Sequence, residues 1–295
     1  MPRIQHIVPC GEPSAWSCVY RLEGVDGTRL FVKGTPRTRP EALVTAHLTQ
    51  LCPNYLPPIL HSDLVPTSTW RWFVLADAGS SLYSPLSHVQ AQQIARTLGR
   101  VQRVAENDQI LPQMLPRCEA MHLVVRLFEV CHWAMEERAR LSQEAKVELH
   151  ELTRRIVSAQ AFFSHIARSL TDLPATIVHG DLWQGNLAQT KQGICLLDWG
   201  DALWGIGGVS LAHWLLADKL VNSSAIWEAY AQGLGRTIRP AYRAACLMAL
   251  DIIDLVIDQA IAKSCGMSPA CLPGLLPALR RVDAQSRVPL ADASI

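Results

Sequence analysis

One stretch near the middle of the chain restricts its fold more than any other. Thr176-Ile177-Val178 is a short β-branched run, and His179-Gly180-Asp181-Leu182-Trp183-Gln184-Gly185-Asn186 follows as a polar loop. Leu187 to Leu197 then reads as a hairpin turning at Lys191-Gln192-Gly193, and Asp198-Trp199-Gly200-Asp201 closes the segment. Strand, loop, hairpin and loop set Asp181, Asn186 and Asp198 at strand ends, where polar side chains can converge while the apolar runs bury. A surface turn and a helix cap would explain any one piece. They do not explain all three in order with strands between them.

Two carboxylates and an amide so arranged suit the transfer of a phosphoryl group. That reaction needs little covalent chemistry from a protein. It needs cations to hold and neutralise phosphates, and a carboxylate to orient the attacking hydroxyl and accept its proton. Asp181 is the candidate to face the acceptor. Asn186 and Asp198 are the candidates to bind Mg²⁺ through hard oxygen ligands.

The pattern HGDxxxxN followed by DWGD resembles the aminoglycoside phosphotransferase and choline kinase group of kinase-like enzymes. The resemblance implies an α+β, two-lobed protein-kinase-like fold. A small N-terminal antiparallel-sheet lobe over residues 1–76 would bind nucleotide. A larger, mainly helical C-terminal lobe over residues 77–295 would carry catalysis and acceptor binding, with ATP between the two. The implied activity moves the γ-phosphate of ATP to a hydroxyl of a small molecule, an aminoglycoside-, choline- or other metabolite-type acceptor, with Mg²⁺ as cofactor. Gly180 stands where protein kinases carry Arg, and the stretch after Asp198 is too short for a long activation segment; both features disfavour a protein kinase. Family members also carry an Asp-Pro pair and then an Asp-Leu downstream, where this chain reads Ile206-Gly207 and Ser210-Leu211. That departure keeps open an alternative, a nucleotide-binding protein impaired in catalysis.

The first 76 residues read as strand-rich. Ser17 to Glu23 and Arg29 to Lys33 are short apolar runs around the turn signal Gly24-Val25-Asp26-Gly27, which predicts a hairpin. Pro40-Glu41 opens an amphipathic stretch to about Leu51, and Pro53, Pro57 and Pro58 stop it. Lys33 at a strand end and Glu41 in a first helical turn are ordinary placements on their own. By the family resemblance they form the ion pair that steadies the α- and β-phosphates. Phe73 to Gly79 resembles the segment joining the lobes, where backbone groups of Ala76 and Ala78 would hold adenine with Leu75 behind. The loop Cys10 to Ser17 sits where a phosphate-covering loop belongs but is not GxGxxG; Gly11, Ser14 and Trp16 are its candidates.

From Ser87 the pattern turns helical, with Ile94, Leu98, Val101 and Val104 on one stripe, then Leu123, Leu127, Val130 and Met135, then a long segment from Val147 to Ile166. Helices return after the hairpin to about Arg281, and the tail from Val282 is expected to fray. Asp251, Asp254 and Asp258 share a face of one such helix, either as a solvated stripe or as a receiver of cationic groups. Trp133, Trp183, Trp204 and Trp214 are large enough to pack on a ring or quaternary ammonium, although most such residues are core.

A net charge of +1 with scattered basic residues gives no footprint for nucleic acid. No run of eighteen apolar residues suggests a membrane span. The N-terminus lacks the apolar stretch of a signal peptide. Nine dispersed cysteines without a CxxC pair read as reduced, mostly buried thiols of a cytoplasmic protein. Oligomeric state is not legible.

Overall fold

A computed structural model of the chain describes residues 2–82, 85–217, 224–264 and 272–287. In chain order the elements are β1 (Ile4–Pro9), β2 (Cys18–Gly24), β3 (Arg29–Pro36), α1 (Glu41–Leu51), β4 (Ile59–His61), β5 (Trp70–Ala76) and β6 (Ser80–Ser81). There follow α2 (His88–Ala105), α3 (Leu111–Met114), β7 (Arg117–Cys118), α4 (Ala120–Glu137), α5 (Gln143–Ser158) and α6 (Gln160–Leu170). Then come β8 (Thr176–Val178), β9 (Leu187–Gln189), β10 (Ile194–Leu196), β11 (Leu203–Gly205), α7 (Gly208–Ala217), α8 (Ser224–Leu234), α9 (Pro240–Ser264) and α10 (Leu272–Ser286). Packing groups these into two compact units. One comprises Met1–Pro116, Thr176–Trp204 and Trp214–Thr237; the other comprises Arg117–Ala175, Gly205–His213 and Ile238–Ile295.

In the first unit the strands β1-β2-β3-β5-β4 form an antiparallel sheet in that order. The predicted hairpin joins β2 to β3: Gly24 N–H donates to the Thr28 carbonyl (2.7 Å), and Asp26 Oδ1 accepts from Thr28 N–H (3.0 Å). Alternation along strands then decides which side chains share a face. Phe31 and Lys33 are two apart on β3. Val19 lies opposite Lys33 and Leu75 opposite Phe31. All four line one cleft. The helix α1 buries Ala42, Val44, Thr45 and Leu48, a stripe at helical spacing.

Helix α2 starts with a capping box: Ser87 Oγ accepts from Gln90 N–H while Gln90 Oε1 accepts from Ser87 N–H. Ile94, Leu98 and Val101 are fully buried, as predicted, but Val104 is exposed; Ala105 takes the inward place at the next turn. The same helix holds a polar anchor for the central segment. Buried Gln102 donates from Nε2 to the Ile177 carbonyl (2.8 Å), its carbonyl accepts from Thr176 Oγ1 (2.6 Å), and its Oε1 accepts from the Tyr230 hydroxyl (2.5 Å). Strand β8 is thereby pinned immediately before His179. Helix α8 packs along α2 and supplies that tyrosine.

The second unit gathers α4, α5, α6, α9 and α10. The single helix predicted over 147–166 is two, broken at Ala159. No Pro or Gly marks the break. It arises from packing, with Ile156 buried before it and Phe163 buried after it, edge-on to Phe128. The expected fraying from Val282 is also corrected: α10 runs to Ser286, Val282 is buried, and Asp283 pairs with Arg155 (3.0 Å) and with Arg287. The last eight positions of the expected tail lie outside the described residues. Among the described residues no helix is long and apolar enough to cross a membrane. Cys52, Cys118, Cys131, Cys195 and Cys246 are buried free thiols, whereas Cys10 is exposed.

Gln102→Ala should destabilise the fold by about 1–3 kcal/mol, because it removes buried hydrogen bonds to the Ile177 carbonyl and the Tyr230 hydroxyl. Urea unfolding measures this. An unchanged midpoint would show that the anchor contributes nothing.

Candidate active site

The central segment folds as its residue pattern predicts. β9 and β10 pair with Leu187 opposite Leu196 and Gln189 opposite Ile194, and a short 3₁₀ turn at Gln184–Asn186 leads into them. Leu197 N–H donates to the Asn186 carbonyl (2.9 Å), which brings Asn186 alongside the residue before Asp198. Asn186 Nδ2 donates to the Asp181 carbonyl (2.8 Å) and to Asp181 Oδ2 (3.1 Å). With its amide nitrogen so engaged, Asn186 keeps its side-chain oxygen for another partner. His179 Nε2 donates to the Leu197 carbonyl (2.7 Å), and its ring lies 4.5 Å from that of Trp199. His179 thus ties the two loops together, as a packing residue.

Two backbone conformations make this crossing possible. Gly180 has φ +77°, and a Cβ there would fall 2.0 Å from the Asp201 carbonyl oxygen. No side chain fits. That is a local steric reason for Gly between His179 and Asp181. Asp198 has φ +59°, a left-handed conformation that Asp tolerates better than most residues. Its carboxylate accepts from the Gly200 N–H and so helps to hold the turn.

Asp198 meets the strand-rich part of the unit at Lys33. The Lys33 Nζ lies 2.6 Å from Glu41 Oε1 and 2.8 Å from Asp198 Oδ1. Lys33 is 5% and Glu41 2% exposed, while the Asp198 side chain keeps 34% of its surface. Burial alone would lower the Lys33 pKa, but the charges of Glu41 and Asp198 outweigh it and raise it. Burial pushes Glu41 up to about 7; Lys33 opposes that rise and Asp198 adds to it. For Asp198 burial works upward as well, yet the charge and hydrogen bond of Lys33, with lesser help from His179 and the Gly200 N–H, hold it below the usual range. One ammonium is shared by two carboxylates. Asp198, the member open to the cleft, is the more readily ionised of the two.

The cleft, about 350 Å³, is lined by Val19, Phe31 and Leu75 on its apolar side and by Lys33, Asn186 and Asp198 on its polar side. Ala76 and Ala78 line it too, as do Cys10 and Trp199. The Ala76 N–H already donates to the Pro58 carbonyl (3.0 Å) and the Gly79 N–H to Asp77 Oδ1 (3.0 Å). The Asp77 and Ala78 N–H groups make no backbone hydrogen bond among the described residues. Asn186 and Asp198 present hard oxygen donors to a divalent cation. No three His, Cys, Asp or Glu side chains among the described residues form a metal cage of their own. That donor set fits Mg²⁺, which commonly takes one or two protein oxygens and completes its shell with phosphates and water.

Other predicted positions fall elsewhere. Gly11, Ser14 and Trp16 do not line the cleft, and Ser14 Oγ is used locally, accepting from Trp16 N–H (3.1 Å) and Ser17 N–H (2.9 Å). Trp133, Trp204 and Trp214 are buried in the core, whereas Trp183 on the loop after Asp181 is 48% exposed. The acidic face of α9 is not a uniform solvated stripe: Asp251 is buried, bonded to Arg281 (2.7 Å) and Gln285 (2.5 Å). Asp254 is half-buried and Asp258 exposed. Ile206, Ser210 and Leu211 are buried. Sequence reasoning passed over Arg39, which pairs with Asp201; Thr38-Arg39-Pro40 carries no signal of that role.

Lys33→Met should cost about 3–5 kcal/mol, since it strands two carboxylates, one of them almost fully buried. Adding Glu41→Gln removes the worse of the two, so the double variant should be the more stable at pH 8. Chemical unfolding without nucleotide compares them. A double variant no more stable than the single would refute a shared ammonium.

The phosphotransferase enzyme family (APH) matches the chain over residues 13–246. No curated protein matches it in sequence. An aminoglycoside phosphotransferase from Alicyclobacillus acidocaldarius subsp. acidocaldarius DSM 446 aligns with 98% of this chain and 91% of its own, with a TM-score of 0.67 at 13% identity. A choline/ethanolamine kinase family protein from Mesorhizobium loti covers 98% and 92%, with a TM-score of 0.63 at 15% identity. The amicoumacin kinase hAmiN, solved in complex with AMP-PNP, Ca²⁺ and Ami, covers 98% and 91%, with a TM-score of 0.59 at 13% identity. At these identities the likeness is one of fold, and it is the α+β kinase-like fold that the sequence predicts. The chain belongs to the phosphotransferase enzyme family.

Proposed function

We propose that this protein transfers the γ-phosphate of ATP to a hydroxyl of a small molecule. The observation that carries the reading is the Asp198–Lys33–Glu41 cluster, which lines one cleft together with Asn186. Adenine would lie against Val19, Phe31 and Leu75 and take a hydrogen bond from the Ala78 N–H, with Ala76 beside it. Lys33, fixed by Glu41, would meet the α- and β-phosphates. Asn186 and Asp198 would hold Mg²⁺, which would supply positive charge to neutralise the phosphates. The strand-rich residues 1–76 would then serve as the nucleotide lobe and the rest as the catalytic and acceptor lobe. That AMP-PNP and a divalent ion accompany hAmiN supports the use of a nucleotide and a divalent metal. ATP use and the buried thiols both suit the cytoplasm.

Asp181 would orient the acceptor hydroxyl. As its oxygen bonds to the γ-phosphorus and the bond to the β-phosphate oxygen breaks, the hydroxyl proton passes to Asp181 and ADP leaves. The amide of Asn186 holds the Asp181 carboxylate by Oδ2, leaving Oδ1 for the acceptor. Positioning of this kind, more than intrinsic reactivity, is what the fold supplies.

The test is acceptor-dependent ADP release over a broad panel of small hydroxyl compounds, beside calorimetry with Mg-ATP. Asp181→Asn should lower turnover by roughly 10²-fold or more while nucleotide still binds. Asp198→Ala should remove the Mg²⁺ dependence of ATP binding. Retained turnover in Asp181→Asn would show the catalytic centre to be misplaced. ATP binding by the unaltered protein with no turnover on any acceptor would favour a nucleotide-binding protein without transferase activity.

A further inference from the structure

Asp198 and Asp201 end a four-residue loop, and each is held by a cation from one short stretch of chain. Lys33 on β3 takes Asp198, and Arg39, just before α1, takes Asp201. Glu41 also pairs with Lys33. Gly200 lies among these side chains: a Cβ there would stand 3.2 Å from Arg39 Nη1, 3.2 Å from Asp198 Oδ1 and 3.3 Å from Glu41 Oε2. One cation and two carboxylates therefore crowd one glycine. Glu41 Oε2 is buried with no hydrogen-bond partner, and the Arg39 guanidinium is the cation on that side of Gly200.

Arg39 reaches two further loops. The Asp201 carbonyl oxygen packs against Gly180, so a hold on Asp201 is passed to the backbone that carries Asp181. The guanidinium also lies over the Trp16 ring, 5.5 Å from its centroid, within the loop that sends Cys10 to the cleft. One side chain thus ties together residues 10–17, the loop of Asp181 and the loop of Asp198.

Resting on the phosphotransferase reading above, we propose that Arg39 is a positioning residue for the reaction: through Asp201 it sets the loops of Asp181 and Asp198 against Lys33. The Arg39 and Asp201 side chains keep 22% and 47% of their surface. An ion pair that wet contributes little to global stability. Its effect lies in the placement of the reacting groups, where a misplacement of about 1 Å can cost on the order of 10²-fold in rate. This separates the role from a merely structural one. Removing Arg39 should lower turnover while leaving the unfolding midpoint and nucleotide affinity almost unchanged.

The experiment compares Arg39→Ala, Arg39→Lys, Asp201→Ala and the Arg39→Ala/Asp201→Ala double variant. Basal Mg-ATP hydrolysis, with water as the acceptor, reads turnover, and calorimetry reads ADP binding. Each alanine variant should lose about 10- to 100-fold in kcat. The double variant should be no worse than either single, and Arg39→Lys should recover part of the loss. In the nucleotide-free protein, hydrogen exchange at 180–181 and 198–201 should quicken in Arg39→Ala while that of α4 and α6 stays the same. Additive losses, an unchanged kcat, a loss that tracks the unfolding midpoint, or unchanged exchange at those amides would each overturn the proposal. An unaltered protein that neither binds nor hydrolyses ATP would sink the phosphotransferase reading instead, and the exchange measurement would still decide the link from Arg39 to the loops.

Discussion

A single ammonium group shared by two carboxylates organises the first unit. Lys33 is buried, so its charge is tolerable only with partners in place. Glu41 is buried more deeply still and depends on Lys33 in turn. Every element that meets there has its position fixed by something else. β3 is held between β2 and β5, α1 begins where the chain leaves β3, and Asp198 arrives at the end of a hairpin whose far strand is bonded back to Asn186. Burial pushes Glu41 up to about 7 while Lys33 holds Asp198 down, so the more readily ionised carboxylate of the cluster is at its wet end. Although burial works against it, Asp198 stays below the usual carboxylate range because of the charge and hydrogen bond of Lys33.

The same cluster shows why the backbone has to adopt two uncommon conformations. The loops carrying Asp181 and Asp198 cross closely enough that Gly180 meets a carbonyl, and Asp198 turns into the left-handed region to present its carboxylate to Lys33. Strain of this sort persists where the surroundings over-determine it. Here the surroundings are specific: His179 bonded to Leu197, Trp199 beneath His179, and β8 pinned by Gln102.

What the sequence disclosed was what local pattern encodes. The hairpins, the start of α1 at Glu41, and the order Asp181, Asn186, Asp198 are written in spacings of two, of three to four, and in turn residues. The pairing of Lys33 with Glu41 was expected from the family resemblance, and the two are in contact. The features that escaped it depend on residues far apart in the chain. Nothing near Ala159 marks a helix break, since the break serves Ile156 and Phe163 on either side. Nothing after Arg281 announces that α10 continues; that depends on Arg155, more than a hundred residues earlier, reaching Asp283. Arg39 reads as an ordinary residue before Pro40, and only the fold brings it to Asp201.

The acidic face of α9 shows the same limit from the other side. Three carboxylates at helical spacing suggest a surface that receives cations, but their charges are not equally available. Asp251 spends its charge on Arg281 and Gln285. Asp254 is pushed up, first by burial and then by the neighbouring Asp251, so it holds its proton more readily than an ordinary carboxyl. Asp258 is exposed. A polyamine-like acceptor needs several carboxylates that stay charged and reachable at once. Sequence spacing counts three on this helix; burial and pairing leave one.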